Sequence, residues 1–344
     1  MEKIKLLDCT LRDGGYVNEW DFGKEAMTEI SRKSMEAGSN IVELGFLRDV
    51  AYREDVAVFQ NIKQAEAFMY RKNKETQYAV MCEALNPLPL DKIAAREEND
   101  VEIIRVIVWK RLLEEGIEYC RGIVERGYKL CVQPNRVDQY SDEEFINMIR
   151  KFNELSPYAL YIVDSFGVLD TEAILHYADL ADEYLKKEIV LGYHGHNNLM
   201  QAYGTAQQFI KKGYDRELLL DASVYGIGRG AGNLNLELIA KYLNEHTGTK
   251  YQLENYVDIY DRHIKDIYKK EKWGYSPAYY LTALWRCNPM YGRYYSIERS
   301  LGADNINSIL QMLSGEDKIR FSVKTAEEAY ERYRSTISDG EVCS

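Results

Sequence analysis

The chain has 344 residues, which is more than the roughly 100–150 residues of a typical domain and allows two ordinary domains or one large barrel with an appendage. Hydrophobic residues make up 46% and charged residues 29% of the chain, so its composition is that of a globular protein and excludes disorder as the main state. The net charge of −11 opposes binding to nucleic acid or to an anionic membrane and favours a small-molecule ligand.

The chain carries no sequence signal for a membrane or for secretion. It has no run of about 18 apolar residues, and its N-terminus MEKIKLLDC lacks the apolar stretch and cleavage site of a signal peptide. We therefore expect a cytoplasmic protein. The six cysteines show no paired spacing; they are Cys9, Cys82, Cys120, Cys131, Cys287 and Cys343. In a reducing cytosol we expect them to be buried thiols rather than disulfides or a zinc cluster.

Short apolar runs alternate with amphipathic segments in eight cycles along the chain. The predicted strands are Ile4–Thr10, Asn40–Phe46, Gln77–Glu83, Ile103–Trp109, Lys129–Gln133, Leu160–Asp164, Val190–His194 and Leu219–Val224. The predicted helices are Lys24–Ala37, Val56–Lys72, Asp91–Glu98, Leu112–Arg126, Asp142–Asn153, Thr171–Lys186, Leu199–Lys212 and Asn235–Glu245. Ser141 and Thr171 are placed as N-caps, and Gly38, Gly127 and Gly213 as C-terminal caps.

Strands that are apolar at nearly every position and separated by helices indicate a parallel sheet covered on both faces. Eight such units predict a closed (β/α)8 barrel, the TIM barrel. An open doubly wound sheet is the alternative, but the first strand is followed by TLRDGGY and not by the G-x-G-x-x-G motif that binds a dinucleotide. We therefore expect the active site at the C-terminal ends of the barrel strands.

The pattern changes after about Lys250, where strand runs cease and tyrosine becomes frequent. This change predicts a barrel domain over residues 1–250 and a helical C-terminal domain over residues 251–344. Tyrosine and tryptophan favour a packing layer or an oligomer interface, so we expect a homo-oligomer. The alternative is that one of these tyrosines overhangs the barrel mouth.

A metal site is predicted where the first and seventh strands end. His194 and His196 in GYHGHNN are two positions apart, so both imidazoles lie on one side of a strand. Asp13 of TLRDGGY is the natural third ligand, and this set leaves open positions for a substrate. Nitrogen and oxygen ligands without thiolate suit a divalent cation, Mn²⁺ or Mg²⁺ first, with Zn²⁺ or Co²⁺ as alternatives.

Other polar groups are expected at the same mouth. Glu43 lies in the apolar strand IVELGF and needs a cationic partner, for which Arg12 is placed. Ser165 follows the sixth strand and can donate a hydrogen bond. The glycine-rich segment Gly228–Asn233 follows the eighth strand, where barrels often hold anionic substrate groups, although its glycines could serve only tight turns.

These motifs resemble those of the DRE-TIM metallolyase superfamily (HMGL-like), which includes 4-hydroxy-2-oxovalerate aldolases, 3-hydroxy-3-methylglutaryl-CoA lyases, and isopropylmalate and citramalate synthases. Four motifs match in order over about residues 4–245: TLRDG, the glutamate of IVELGF, HGHNN and G-x-G-x-G-A-G-N. The resemblance implies that Arg12 stabilises an enolate and that Glu43 orients Arg12. It also implies that a divalent cation is bound by Asp13, His194 and His196, with Asn233 as a further contact.

The resemblance also sorts the branches of the superfamily. The segment Tyr225–Asn233 lacks the cysteine of the lyases that act on CoA thioesters, and the Glu-Gln pair of the synthases is absent after TLRDG. The aldolases fit best, because SPAYYLTAL resembles their segment with a tyrosine over the active site, here Tyr279 or Tyr280. Tyr16 stands where the bacterial aldolases have a histidine base, so it becomes the candidate for proton transfer, directly or through water.

The function predicted from the sequence is a divalent-metal-dependent aldolase or retro-aldolase that acts on a 2-oxo acid. One alternative is a Claisen-type acyltransferase that joins acetyl-CoA to a 2-oxo acid at the same metal and arginine. The other is a non-catalytic binding protein on the same scaffold. The aldehyde dehydrogenase partner of the aldolases is not predicted, because the tail resembles theirs only around Ser276–Leu284.

Overall fold

The computed structural model describes residues 3–70, 75–98 and 101–341 of the chain. Its strands are parallel and have the bounds β1 Ile4–Asp8, β2 Ile41–Leu47, β3 Val58–Phe59, β4 Gln77–Glu83, β5 Ile103–Trp109, β6 Lys129–Asn135, β7 Ala159–Asp164, β8 Val190–Gly195 and β9 Leu218–Ala222. β1 pairs with both β9 and β2, so eight strands close into a barrel, and β3 adds two residues beside β2. The eight predicted strands and the predicted (β/α)8 barrel are confirmed.

The barrel strands are apolar on both faces because one face lines the interior and the other packs against helices. On β5, Ile103 belongs to an interior cluster with Ile41 and Ala79, whereas Ile104 belongs to the larger cluster under the helices. Arg105 shares the interior face with Ile103 and is fully buried. The strand therefore carries one charged side chain into the centre of the barrel.

The helices of the barrel follow the strands. Their bounds are Thr10–Asp13, Gly15–Asn18, Lys24–Glu36, Ile62–Glu66, Leu113–Glu125, Asp142–Leu155, Thr171–Tyr184, Ala202–Lys211 and Leu236–His246. Ser141 caps its helix in a capping box with Glu144, as predicted, whereas the second predicted cap is wrong by one residue, because Asp170 and not Thr171 accepts the N–H of Ala173. The three predicted C-terminal glycines all have positive φ, at Gly38, Gly127 and Gly213.

The predicted helix Val56–Lys72 is wrong over most of its described length. The structure has β3 at Val58–Phe59 and a short helix at Ile62–Glu66, and residues 71 and 72 lie outside the described ranges. Gly45 explains the difference, because a Cβ at this position would overlap the carbonyl oxygen of Ala57. Its absence lets the chain approach β2 closely enough to pair as a strand.

The predicted helix Asp91–Glu98 is also wrong, because the described residues of this connection form a 3₁₀ turn at Leu90–Lys92 and no α-helix. The chain that follows bonds to the neighbouring unit instead of to itself. The N–H of Arg96 donates to the carbonyl of Arg126, whose Nε donates to the carbonyl of Ile93 over 2.9 Å. Tertiary hydrogen bonds therefore replace the helical ones in this connection.

The C-terminal part of the described chain is helical. Its helices are Leu253–Ile259, Lys265–Lys270, Pro277–Leu284, Pro289–Arg293, Ala303–Gln311, Glu316–Ile319 and Val323–Glu341, with π-helical turns at Tyr260–Ile264 and Tyr294–Glu298. Tyr256 and Trp273 belong to the large cluster around the barrel, whereas Tyr291, Tyr295 and Ile309 belong to a separate apolar cluster of the tail. The tail thus begins against the barrel and continues with its own core.

Two further observations concern the described residues. No helix among them combines the length and the apolar character that crossing a membrane requires. The thiols of Cys9, Cys82, Cys120, Cys131 and Cys287 are free and buried, as expected from the sequence, and Cys343 lies outside the described residues.

Candidate active site

A cavity opens at the C-terminal ends of the barrel strands. Its lining comes from the loop after β1, from the ends of β4 to β8, from the loop after β9 and from the tail. The lining residues are Arg12, Asp13, Tyr16, Met81, Glu83, Ile107, Trp109, Gln133, Asn135, Val163, Ser165, Phe166, His194, His196, Arg229 and Asn288. The cavity lies where barrel enzymes hold their substrates.

The loop after β1 is folded tightly enough to bring two charged side chains into this cavity. It forms the short helices Thr10–Asp13 and Gly15–Asn18. A Cβ at Gly14 would overlap the carbonyl oxygen of Thr10, and one at Gly15 would overlap the indole of Trp20. The two glycines of TLRDGG therefore serve the packing that positions the preceding arginine and aspartate.

Asp13, His194 and His196 converge on one point of the cavity. Their ligand atoms all lie within 4.8 Å of one another, and all three side chains are buried. Nε2 of His194 lies 3.4 Å from Nε2 of His196 and 3.4 Å from a carboxylate oxygen of Asp13. These three atoms are the donor set that the sequence analysis assigned to a divalent cation.

The outer nitrogens of both imidazoles are already bound to the protein. Nδ1 of His194 lies 2.9 Å from a carboxylate oxygen of Asp221, and Nδ1 of His196 lies 3.2 Å from the carbonyl oxygen of Arg229. Because each acceptor takes a proton from Nδ1, the neutral form of each imidazole presents the lone pair of its Nε2 toward the other. Two facing lone pairs and a carboxylate fit a cation between them.

Asn233 supplies a further observation that fits a cation. Its Nδ2 donates to the carbonyl of Ile227 over 3.0 Å, while its Oδ1 is buried and has no partner among the described residues. A Cβ at Gly228 would overlap the Asn233 amide and lie 3.0 Å from Asp13 Oδ1, which places both side chains beside the same glycine. A buried amide oxygen without a partner is suited to a hard divalent cation.

A closed ring of buried charges forms the floor of the cavity. Nε of Arg12 donates to Glu43 over 2.8 Å, as expected from the sequence, and its Nη1 donates to Asp13. Arg105 donates to the same Glu43 oxygen over 2.7 Å and also to Asp221, which contacts His194. We call this set the charge ring; its members in order are Arg12, Glu43, Arg105, Asp221, His194 and Asp13.

Two members of the charge ring, Arg105 and Asp221, were not identified as site residues from the sequence. Both are fully or almost fully buried inside otherwise apolar strands, in IIRVIVW and LLLDA. A charged residue inside an apolar strand is the criterion that singled out Glu43, and the same criterion identifies Arg105 and Asp221. A buried charge in an apolar strand must be paired, and its partner lies on another strand.

The charge ring sets the protonation states of the cation ligands. Burial opposes ionisation of Asp13, but the neighbouring Arg12 outweighs it and holds the pKa of this carboxyl well below its usual range. Burial lowers the pKa of His196 to about 3. For His194 burial acts in the same direction, but Asp13 and Asp221 outweigh it and raise the pKa. An ionised Asp13 and a neutral His196 are the states that bind a cation.

The rim of the cavity is formed by loops rather than by strands. Oγ of Ser165 accepts the backbone N–H of Arg136 over 3.0 Å, which leaves its own hydrogen free to donate into the cavity. The ring of Tyr16 packs edge-on against Trp20 and Phe46, and its hydroxyl has no hydrogen bond among the described residues. Burial raises the pKa of Tyr16, against the opposing charge of Arg229.

The tail reaches the cavity through a residue other than the expected tyrosines. Asn288 lines the cavity, whereas Tyr279 lines a smaller second cavity on the far side of Tyr16 and Arg229. Tyr280 is 41% exposed. The structure therefore brings Tyr279 close to the rim without placing it among the residues that line the main cavity.

Sequence comparison agrees with this geometry. The HMGL-like family profile matches residues 3–262. A 4-hydroxy-2-oxovalerate aldolase from Bacillus cereus is 23% identical over 256 residues, which cover 74% of this chain and 73% of that protein. An oxaloacetate decarboxylase from Mycobacterium tuberculosis is 22% identical over 240 residues, 69% of each chain.

Comparison of folds extends the similarity to the tail. The carboxyl transferase domain of pyruvate carboxylase from Rhizobium etli, solved with pyruvate, superposes with a TM-score of 0.70 at 13% identity. The superposition covers 99% of this chain and 62% of that one, so it includes the helices after the barrel. The family profile spans the barrel with its charge ring and its Asp13, His194 and His196 cluster, and the chain belongs to the HMGL-like family.

Proposed function

We propose that this HMGL-like protein, a metal-dependent carbon–carbon lyase, is an aldolase that cleaves or forms the bond next to a 2-oxo acid, in the manner of the 4-hydroxy-2-oxovalerate aldolases. The observation that carries the proposal is the convergence of Asp13, His194 and His196 beside the paired guanidinium of Arg12 in a cavity at the barrel mouth. The cation and the arginine together supply the positive charge that an enolate requires.

The cation would be held by the carboxylate of Asp13 and by Nε2 of both histidines, with Oδ1 of Asn233 as a further ligand. These ligands are nitrogen and oxygen atoms without thiolate, a set that suits Mn²⁺ or Mg²⁺ and also accommodates Co²⁺ or Zn²⁺. A divalent cation bound there supplies a Lewis acid for the carboxylate and 2-oxo oxygens of the substrate.

Arg12 is placed to stabilise the developing negative charge. Two of its five N–H groups bond to Glu43 and Asp13, and the guanidinium lines the cavity with the others. These carboxylates raise the pKa of Arg12 despite its burial, so the side chain stays charged. Glu43 and Arg105 hold its orientation before the substrate arrives, which avoids reorganisation during the reaction.

Tyr16 would transfer the proton that moves to or from the substrate hydroxyl oxygen beside the cleaved bond. Its raised pKa keeps the phenol protonated near neutral pH, so in the aldol direction it can donate a proton to the alkoxide. In the cleavage direction the phenol is a poor base, and the proton leaves through a water held by the tyrosine. Ser165, which also lines the cavity, would bind a substrate oxygen.

Enolate formation can be tested without knowing the second substrate. In D₂O, the Mg²⁺-loaded protein should remove a C3 proton of pyruvate and return a deuteron, so the methyl signal in the NMR spectrum should disappear. The chelated protein should not exchange, and added Mg²⁺ should restore exchange. In parallel, 4-hydroxy-2-oxo acids should release pyruvate, measured with lactate dehydrogenase.

Three outcomes would contradict the proposal. Absence of both exchange and pyruvate release in the metal-loaded protein would favour a binding protein. Free thiol released from acetyl-CoA in the presence of a 2-oxo acid would favour the Claisen-type acyltransferase. Equal exchange in the chelated and the loaded protein would remove the cation from the mechanism.

A further inference from the structure

The side chain of Arg229 has no role in the proposed function. Its backbone belongs to the metal-site loop, because its N–H lies 3.4 Å from Asp13 Oδ1 and its carbonyl accepts from His196. The side chain extends across the rim and lines both the main cavity and the smaller second cavity. A partly buried charge in this position is stabilised when an opposite charge, from the protein or from a ligand, lies beside it.

Two aromatic rings and one carbonyl hold the guanidinium in place. Its Cζ lies 5.2 Å from the ring centroid of Tyr16 and 5.3 Å from that of Phe166. One terminal nitrogen donates to the carbonyl of Ser165 over 2.6 Å. These contacts fix the orientation of the guanidinium without cancelling its charge, because rings and carbonyls carry no net charge.

Arg229 differs in this respect from Arg12, the other arginine that lines the main cavity, and from the nearby Arg105 and Arg136. Arg12, Arg105 and Arg136 each pair with at least one carboxylate. Among the described residues, no carboxylate lies within 4.0 Å of the Arg229 guanidinium, and its Nε is buried without an acceptor. Glu83, a carboxylate of the opposite wall, accepts from the indole of Trp109 over 3.0 Å.

The charges on the floor of the cavity do not neutralise the positive charge of Arg229. The charge ring holds three carboxylates and two guanidiniums, a net charge of one negative unit when the imidazole of His194 is neutral. A divalent cation and the carboxylate of one 2-oxo acid bring the floor to neutrality. A substrate with only that carboxylate would therefore bring no second anionic group to the guanidinium of Arg229, which forms no ion pair with Glu83 or with any other carboxylate of the described residues.

We propose that Arg229 is a specificity residue that binds a second anionic group of the substrate, a carboxylate or a phosphate, in addition to the 2-oxo acid carboxylate at the metal site. The inference rests on the proposed function for the assumption that the substrate is a 2-oxo acid. The unpaired charge of Arg229 does not depend on that function. A planar guanidinium with free N–H donors matches the oxygen pairs of both groups.

Binding measurements test this inference separately from catalysis. We would titrate Mg²⁺-loaded protein with 2-oxoglutarate and with 2-oxovalerate, which have equally long chains but differ by the distal carboxylate. In wild type the diacid should bind at least about 10-fold more tightly, since a charge-assisted bond contributes roughly that factor. Arg229→Gln should abolish the preference, and Arg229→Lys should retain part of it.

Arg48 provides a matched control. Its guanidinium also stacks on aromatic rings near Tyr16, 4.7 Å from the Trp20 centroid and 4.1 Å from that of Phe46, and it is absent from the residues that line the main cavity. Arg48→Gln removes one positive charge of the same neighbourhood. This variant should keep the diacid preference, so a general loss of positive potential is distinguished from loss of a specific contact.

Kinetic measurements identify the anionic group. With pyruvate as the nucleophile, kcat/KM would be compared between succinic semialdehyde and butanal, and between glyceraldehyde 3-phosphate and glyceraldehyde. A preference of at least about 10-fold for the acidic member of one pair, lost in Arg229→Gln, supports the inference and names the group.

Two results would overturn the inference. Equal wild-type affinity for the two 2-oxo acids, together with no preference in either aldehyde pair, would show that no second anion is bound. An equal loss of affinity for both acids in Arg229→Gln would assign Arg229 to the carboxylate that all 2-oxo acids share. If deuterium exchange fails but the diacid preference depends on Arg229, the proposed function is wrong and the specificity site stands.

Discussion

The floor and the rim of the cavity are built on opposite principles. On the floor, every charge of the ring has a partner, the strands of the barrel hold four of the six side chains, and Glu43, Arg105 and Asp221 are excluded from water. On the rim, Arg229 has no counter-ion and the hydroxyl of Tyr16 has no hydrogen bond among the described residues. A paired floor suits chemistry that is common to many substrates, and unpaired groups on loops suit recognition of one of them.

This comparison predicts different kinetic signatures for the two regions. Changes to the floor should lower kcat or cation affinity for every substrate alike. Changes to Arg229 or Ser165 on the rim should alter KM or the ratio between substrates, whereas Tyr16 lies on the rim but is proposed to transfer a proton, so its loss should lower kcat.

Replacing Arg12 by alanine should have the largest effect. Loss of one charged donor to a developing enolate lowers turnover by about 10²–10³-fold, so Arg12→Ala should reduce kcat by that factor with all substrates. The measurement is pyruvate release at saturating substrate, with cation content determined on the same sample.

A control is needed because Arg12→Ala leaves Asp13 and Glu43 without their shared partner and can destabilise the fold. Arg12→Lys keeps the positive charge but cannot reproduce the two-pronged contact. It should therefore fold like wild type and still lose most turnover. Wild-type turnover in either variant would contradict the role of Arg12.

Tyr16→Phe should lower kcat by about 10²-fold, the lower end of the range for a proton-transfer group. The pH profile gives the sign of the effect. In the aldol direction the phenol donates the proton, and its raised pKa keeps it protonated throughout the neutral range, so the rate of aldol formation should fall only above about pH 10. Tyr16→His should shift this decline to about pH 6.5, where imidazole loses its proton.

Full activity of Tyr16→Phe with an unchanged pH profile would show that the ring of Tyr16 only packs against Arg229 and Trp20. The proton would then have to pass through a water of the cavity. Thermal unfolding of Tyr16→Phe should match wild type, since the variant keeps the ring and the hydroxyl makes no hydrogen bond among the described residues.

Asp221→Asn tests whether the floor also positions the cation. Asparagine can still accept from Nδ1 of His194 but no longer pairs with Arg105, so cation affinity should fall by about 10–100-fold, the usual effect of changing the group behind a metal ligand. Titration of the chelated protein with Mn²⁺, followed by electron paramagnetic resonance, measures this affinity.

Asp8→Asn is the matched control for the loss of a buried carboxylate. Asp8 is buried on β1 and hydrogen-bonds to Thr10 and Ser34 rather than to the charge ring. Its variant should lose stability without losing cation affinity. Similar Mn²⁺ affinities for wild type and Asp221→Asn would show that Asp221 does not act through His194.

Ser165→Ala should have the smallest effect on the reaction. Loss of one neutral hydrogen bond to the substrate raises KM by roughly 2–10-fold. The same change leaves the N–H of Arg136 without its acceptor and should destabilise the fold by about 1–3 kcal/mol. Chemical denaturation measures the loss of stability, and KM measured at a temperature where both proteins are folded reports substrate binding. An unchanged KM would show that Ser165 does not bind the substrate.

The residues that could be predicted from the sequence are those whose signal is local. Eight apolar runs gave the barrel strands, and the spacing of two positions between His194 and His196 placed both imidazoles on one face of β8. Glu43 stood out because a carboxylate in an apolar strand requires a partner, and Arg12 is that partner. Each of these inferences depends on a period or a motif within a few residues.

Tertiary structure decided what depends on distant segments. Arg105 and Asp221 close the charge ring from strands more than a hundred residues apart, and nothing local pairs them. The connection before β5 remains non-helical because Arg126 bonds to it, and Asn288 reaches the cavity instead of Tyr279 because of how the tail packs. Local periodicity determines the elements, whereas the closure of the barrel determines which buried charges meet.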